Sequence, residues 1–187
     1  MDEIEASIAA RAQELNRAEK ILTSPDPNQR KAAMEMLLKQ DDPALVNKAK
    51  EVGLYSADPE LRATAIRAIL DAGGAFRAEF DIPSNTDNLT AVYDWLRTFK
   101  GSWSVDGRTG YFQFALGSYD VAEMCWKWLG SRNCALRMSG ESVSTADWDF
   151  NISGSAVMKL DDTGALNGSF LVNGRGRPVT IRIPLHF

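Results

Sequence analysis

The chain has 187 residues, 44% hydrophobic and 25% charged, the balance of an ordinary globular protein with one domain or two small ones. Its net charge of −4 lacks the basic surplus that marks nucleic-acid binders. No apolar run approaches the roughly 18–20 residues of a membrane span, and the acidic start MDEIEAS lacks the order of a secretory signal. A cytoplasmic protein is expected, or else an exported one met here in processed form.

The first element expected is a helix: Ile4, Ile8, Ala12, Leu15, Ala18 and Leu22 recur every three or four residues, one apolar stripe. Asp-Pro then appears at Asp26-Pro27, Asp42-Pro43 and Asp58-Pro59, each pair sixteen residues after the last. Asp is a preferred N-cap and Pro fits the first helical position, so each pair reads as a helix start. The first and third units also share an arginine (Arg30, Arg62) and an alanine (Ala33, Ala65), whereas the middle one keeps only Ala49. That pattern reads as a 32-residue helix-pair repeat whose second copy stops after one helix, at Gly73-Gly74.

Composition changes at the same place. Of 17 aromatic residues only Tyr55 precedes position 75, and 13 of 14 glycines lie at or beyond Gly73. Alanine-rich sequence favours helix, while aromatics between glycine turns favour sheet, so a boundary is expected between residues 1–74 and 75–187. Charge does not mark it, with 10 basic against 13 acidic residues before and 11 against 12 after.

Beyond the boundary, Phe76, Ala78, Phe80 and Ile82 alternate with Arg77, Glu79 and Asp81 as in a half-buried strand. Leu89, Val92, Leu96 and Phe99 then fall on one face of a helix over about 86–99. Short strands follow, at 103–106, 110–117, 121–128, 134–142, 148–153, 155–160, 166–172 and 177–186. Asp161-Asp162-Thr163-Gly164 and Asn173-Gly174 have the clearest hairpin chemistry. In the last strand Val179, Ile181, Ile183 and Leu185 share a face, and Pro184 makes it an edge or a closing seam. The fold class expected is α+β, helical hairpins followed by a compact antiparallel β domain, barrel or sandwich.

Two resemblances add to this. Residues 22–73, through Asp-Pro-x-x-Arg-x-x-Ala at both 26 and 58, resemble HEAT-like helical repeats. The resemblance implies a stack of helix pairs used as a protein-binding surface, on which Arg30 and Arg62 are candidate partner contacts; a plain four-helix bundle supporting the second half is the alternative. Gly101-Ser102-Trp103, opening an antiparallel meander, resembles the lipocalin and fatty-acid-binding superfamily. That resemblance implies an apolar ligand in a barrel, with Trp103 closing one end against a late arginine, here Arg182.

Candidate chemistry is sparse. Asp162-Thr163-Gly164 spells an aspartic-protease triplet, but one copy inside LDDTGAL reads as a turn. His186 is the only histidine and lacks evident partners for a triad or a zinc site, and Asp147 and Asp149 lack further ligand spacing. No phosphate loop or dinucleotide fingerprint occurs, so neither cofactor nor metal is expected. Arg175 and Arg177 crowd a hairpin tip, as a solubilising feature or a contact for a phosphate or an acidic partner.

The segment Cys125–Cys134, CWKWLGSRNC, holds both cysteines and two of five tryptophans. With Leu129-Gly130 as a two-residue turn, Cys125 and Cys134 face each other across a hairpin, where a disulfide or two free thiols are both open. Trp126 and Trp128 fall on one face, as a ligand platform or as core. The function expected is a non-enzymatic interaction or scaffold protein, bound to a partner protein or to its own copies. A lipocalin-like binder of a small apolar ligand, using Trp103, Trp126, Trp128 and Arg182, is the second reading.

Overall fold

Each Asp-Pro pair starts a helix. Asp26 and Asp42 accept hydrogen bonds from the backbone N–H groups of Asn28 and Ala44, and Asp58 accepts from Glu60. Each proline then occupies the first helical position, where a missing N–H costs nothing. A computed structural model describes residues 1–83, 86–146, 148–150, 152–173 and 175–185, with the backbone alone for 86–89 and 149–150. The helices so capped are α2 (Pro27–Leu37), α3 (Pro43–Leu54) and α4 (Pro59–Asp71), preceded by α1 (Asp2–Leu22).

The chain divides into two compact units, Met1–Ile69 and Leu70–His186. In the first, Arg11 of α1 reaches Asp42 at the start of α3, and Lys48 further along α3 reaches Glu19 further along α1. Both pairs advance in the same direction, so α1 and α3 lie parallel. Arg30 and Lys31 of α2 meet Asp58 and Glu60 of α4 in the same manner. Gly53 of α3 sits where the helices come closest: a Cβ there would lie 2.5 Å from Met34 Cε and 2.7 Å from Ala65 Cβ. Ala18, Leu22, Met34, Leu45, Ala49, Leu61, Ala65 and Ile66 form the core. The stripe read on α1 is buried only in its second half; Ile4 and Ile8 are exposed.

The second unit is a closed antiparallel barrel. Its strands are β1 (Gly74–Asp81), β3 (Thr109–Asp120), β4 (Cys125–Trp128), β5 (Cys134–Ser139), β6 (Ser142–Thr145), β8 (Ile152–Leu160), β9 (Ala165–Val172) and β10 (Val179–Pro184). They pair in the order β1-β10-β9-β8-β6-β5-β4-β3, and β3 returns to β1 over all eight residues of that strand. Two-residue strands β2 (Ser102–Trp103) and β7 (Asp149–Phe150) add to β3 and β8. Helix α5 (Thr86–Thr98) lies between β1 and β2. The class is therefore α+β, and closure resolves the choice between barrel and sandwich.

β10 is not an edge, since it pairs with β9 through Pro184 and with β1 through Thr180–Arg182; Pro184, which has no N–H, lies past the pairing with β1. The turn at Asp161–Gly164 is a hairpin joining β8 to β9. Its Asp161 accepts from the N–H groups of Thr163 and Ala165, and Gly164 has φ +75°. The hairpin read at Asn173-Gly174 falls partly outside the described residues. The strand expected over 121–128 begins only at Cys125, because Asp120 accepts from the N–H groups of Ala122 and Glu123 and folds 121–124 into a turn. The strand expected over 134–142 is broken at Gly140, φ +58°, into β5 and β6.

Candidate functional site

The inward face of the barrel is built from aromatic rings. Strand alternation turns Phe76, Ala78 and Phe80 of β1 inward, with Phe112 and Phe114 of β3 and Phe170 of β9. Helix α5 adds Trp95, and the segment after β6 adds Trp148; both are fully buried. The Trp95 ring lies 5.6 Å from Phe80, 5.2 Å from Phe112, 4.9 Å from Phe170 and 5.7 Å from Trp148, centroid to centroid. Trp148 continues the cluster to Phe114 at 5.4 Å and Trp128 at 5.6 Å. Rings at these separations are in contact, so side chains occupy the interior around Trp95.

The polar handles of the tryptophans differ. Trp148 donates its indole N–H to the Ala135 carbonyl at 3.0 Å, and Trp126 donates to Asp71 at 2.8 Å. Trp95 Nε1 is buried with no hydrogen-bond partner among the described residues. It faces Gly154 and the ring of Phe170.

The lipocalin-like placement of Trp103 against Arg182 is corrected by register. Trp103 pairs with Gly110, which pairs with Phe80. Arg182 pairs with Glu79, which pairs with Tyr111. Those two sets of residues point to opposite faces of the sheet. Arg182 lies outside, donating to Glu79 and to Thr163 Oγ1, while Trp103 remains 43% exposed beside Tyr93. Gly101 serves the helix instead: its N–H closes the end of α5 on the Leu96 carbonyl at 2.7 Å, where Lys100 takes φ +57°. The tryptophan in the barrel's centre is Trp95, which no motif marked; its signal was its place three residues after Val92 on the buried face of α5.

Cys125 and Cys134 form a disulfide with their Cα atoms 5.7 Å apart, and both are buried. The expected register is nevertheless corrected. Lys127 pairs with Cys134 and Trp126 with Leu136, with a shift between them. The Trp128 N–H donates to the Asn133 carbonyl and the Ser131 N–H to that of Trp128, so the turn is longer than two residues. An open platform of Trp126 and Trp128 is not formed. Trp126 is fully buried against Tyr119, and Trp128 packs on Phe112, Phe114 and Trp148.

In the helical unit Arg30 is a brace: it donates to the carbonyls of Ser24 and Pro25 and pairs with Asp58 at 2.8 Å. Arg11 likewise pairs with Asp42 at 2.6 Å. Hydrogen bonds from these guanidiniums hold both aspartates below the usual carboxyl range. Arg62 is half-buried in α4. A cleft of about 600 Å³ opens among Glu19, Leu22, Arg30, Lys48, Tyr55 and Asp58. In the barrel unit Arg175 pairs with Asp94 of α5 at 3.4 Å, and Arg177 is exposed.

Asp162 is exposed in its turn. His186, Asp147 and the Asp149 side chain lie outside the described residues. Among the described residues no three His, Cys, Asp or Glu side chains gather as metal ligands, and no helix is long and apolar enough to cross a membrane. No family model matches this chain, and comparison with curated proteins and with solved structures finds no match.

Proposed function

We propose that this chain is a non-enzymatic interaction or scaffold subunit, with HEAT-like stacked helical hairpins as its partner surface and the barrel as a rigid body beside them in sequence. One observation carries the reading: aromatic rings in mutual contact around Trp95 occupy the centre of the barrel, so the surface this reading assigns to a partner is the outside. The parallel α1/α3 and α2/α4 arrangement, braced by Arg11–Asp42 and Arg30–Asp58, supports a helix-pair stack. Affinity capture with the intact chain as bait, followed by native mass measurement of the eluate, tests it. A stoichiometric complex is expected, and a lone monomer from every extract overturns the reading.

A lipocalin-like binder is the second reading, favoured by the closed eight-strand barrel and by a Trp95 N–H that has no partner among the described residues. Tryptophan fluorescence against fatty acids, pigments and sugars decides it; silence up to about millimolar ligand, an affinity worth only about 4 kcal/mol, removes it. The Cys125–Cys134 bond favours the exported placement over the cytoplasmic one, since such bonds persist in oxidising compartments.

A further inference from the structure

We propose that β1 keeps an open edge over residues 74–78, where the barrel's seam parts, and that an extended acidic segment of another protein adds there as a strand. The inference rests on the interaction reading above and gives it a second place of contact, on the barrel. β1 is paired with β3 along its whole length, Gly74 to Asp81, but with β10 only through Glu79, Phe80 and Asp81. β10 meanwhile stays on β9 as far as Pro184, and the Leu185 N–H donates to the Gly164 carbonyl on that same side. From Ala78 back to Gly74, β1 therefore has no paired strand on its β10 side among the described residues.

Backbone alternation shows which groups this leaves. In an antiparallel ladder, successive residues direct their N–H and C=O to opposite neighbours. The Ile82 N–H donates to the Arg108 carbonyl, in register with the β1–β3 ladder, so Phe76 and Ala78 address β3. Ala75 and Arg77 address the other side, and both are exposed. Continuing the β1–β10 register sets Pro184 against Arg77, and a proline has no N–H to give the Arg77 carbonyl. Beside that stop opens a cavity of about 470 Å³, lined by Ala75, Phe76, Arg77, Gln113 and Pro184.

An unpaired strand edge is a template for one kind of molecule, an extended backbone. Side chains narrow the choice. A residue laid opposite Arg77 points outward, as Arg77 does, and one opposite Phe76 points inward, beside a ring only 6% exposed. On the outer face two guanidiniums, Arg77 and Arg182, draw on one carboxylate, that of Glu79. An acidic residue opposite Arg77 supplies the second carboxylate, and an apolar one opposite Phe76 covers its ring. The occupant thus alternates acidic and apolar residues. A second copy of β1 would bring another arginine to this edge instead.

The probe is a blocked peptide of about seven residues alternating Glu and Val, long enough to run the open edge. A twin carries Lys for Glu, and two more are N-methylated, one at every Glu and one at every Val. Each is titrated against the full chain, with amide exchange read residue by residue. In the free chain the Ala75 and Arg77 amides should exchange at least about tenfold faster than those of Phe76 and Ala78. The saturating Glu peptide should slow Ala75 and Arg77 by about tenfold or more. The Lys twin should bind about tenfold more weakly, a preference that R77E reverses. N-methylation at Glu, whose N–H groups face β1, should abolish binding, whereas N-methylation at Val should not. Ala75 and Arg77 amides already protected in the free chain would mean a closed seam or a second copy in place, and overturn the proposal. So would no binding, equal binding of the Lys twin or of the peptide methylated at Glu, or a Glu preference unchanged in R77E. Slow exchange of Phe76 and Ala78 in R77E verifies that its β1 still lies on β3. Should R77E capture the native partner from extracts as well as the parent chain does, this inference falls while the interaction reading stands.

Discussion

A methyl group added at Gly154 of β8 would overlap Phe170 Cζ and come within 2.6 Å of Phe170 Cε2 and 2.7 Å of Trp95 Nε1. None of those atoms can retreat freely, because Phe170 and Trp95 are fully buried and in contact with each other and with Phe80. Gly154→Ala is therefore expected to lower stability by about 1–3 kcal/mol through overpacking. The gain from restricting the unfolded chain, at most about 1 kcal/mol, offsets only part of that. A urea melt followed by tryptophan fluorescence measures it, and an unchanged or higher midpoint would show that the rings have slack. Among the described residues the Trp95 N–H has no acceptor, and its neighbours there include the Phe170 ring and the Gly154 backbone. A buried donor without a partner costs about 1–3 kcal/mol, which the burial of so large a side chain offsets.

At the scale of elements, the Asp-Pro caps of α3 and α4 do two things, closing a helix start and accepting an arginine from the helix two before. Hydrogen bonds from Arg11 and Arg30 lower the carboxyl pKa of Asp42 and Asp58 from the ordinary 3.8. A depressed folded pKa gives stability that is fully present above pH 3.8 and is lost as pH falls through the folded value. The helical signal near 222 nm should thus weaken on acidification below about pH 4, more readily in high salt. The double variant Asp42→Asn/Asp58→Asn keeps a capping oxygen but loses the titration, so its acid limb should be flatter; an identical acid limb would place the sensitivity elsewhere. These helix starts were legible because capping is local chemistry written in two adjacent residues. The half of α1 that is buried was not, since that depends on where α2 and α3 stop. Nor was the register of β4 on β5, where a shift between Trp126 and Lys127 displaces the pairing from a simple two-residue hairpin. Trp103 carried a motif and stayed at the rim; Trp95 carried none and took the centre. A three-residue motif records adjacency along the chain, whereas the centre of a barrel is decided by which face of α5 meets β1, β3 and β9.

For the whole molecule, the uneven composition becomes an experimental handle. All five tryptophans lie in the barrel unit, while α1 to α4 supply most of the helix. Fluorescence and far-ultraviolet dichroism thus report mainly on different units. The Cys125–Cys134 bond closes a loop with a sequence separation of 9 inside the barrel unit, beside the fully buried Trp126. Opening it should free the unfolded chain by about 2–3 kcal/mol at this loop length. Reduction is accordingly expected to lower the denaturant midpoint seen by fluorescence and to leave the midpoint seen at 222 nm nearly where it was, with the intact mass rising by two hydrogens. If both midpoints fall together on reduction, the two units unfold as one cooperative body, and the helical hairpins draw their stability from the barrel rather than from their own capped and braced core.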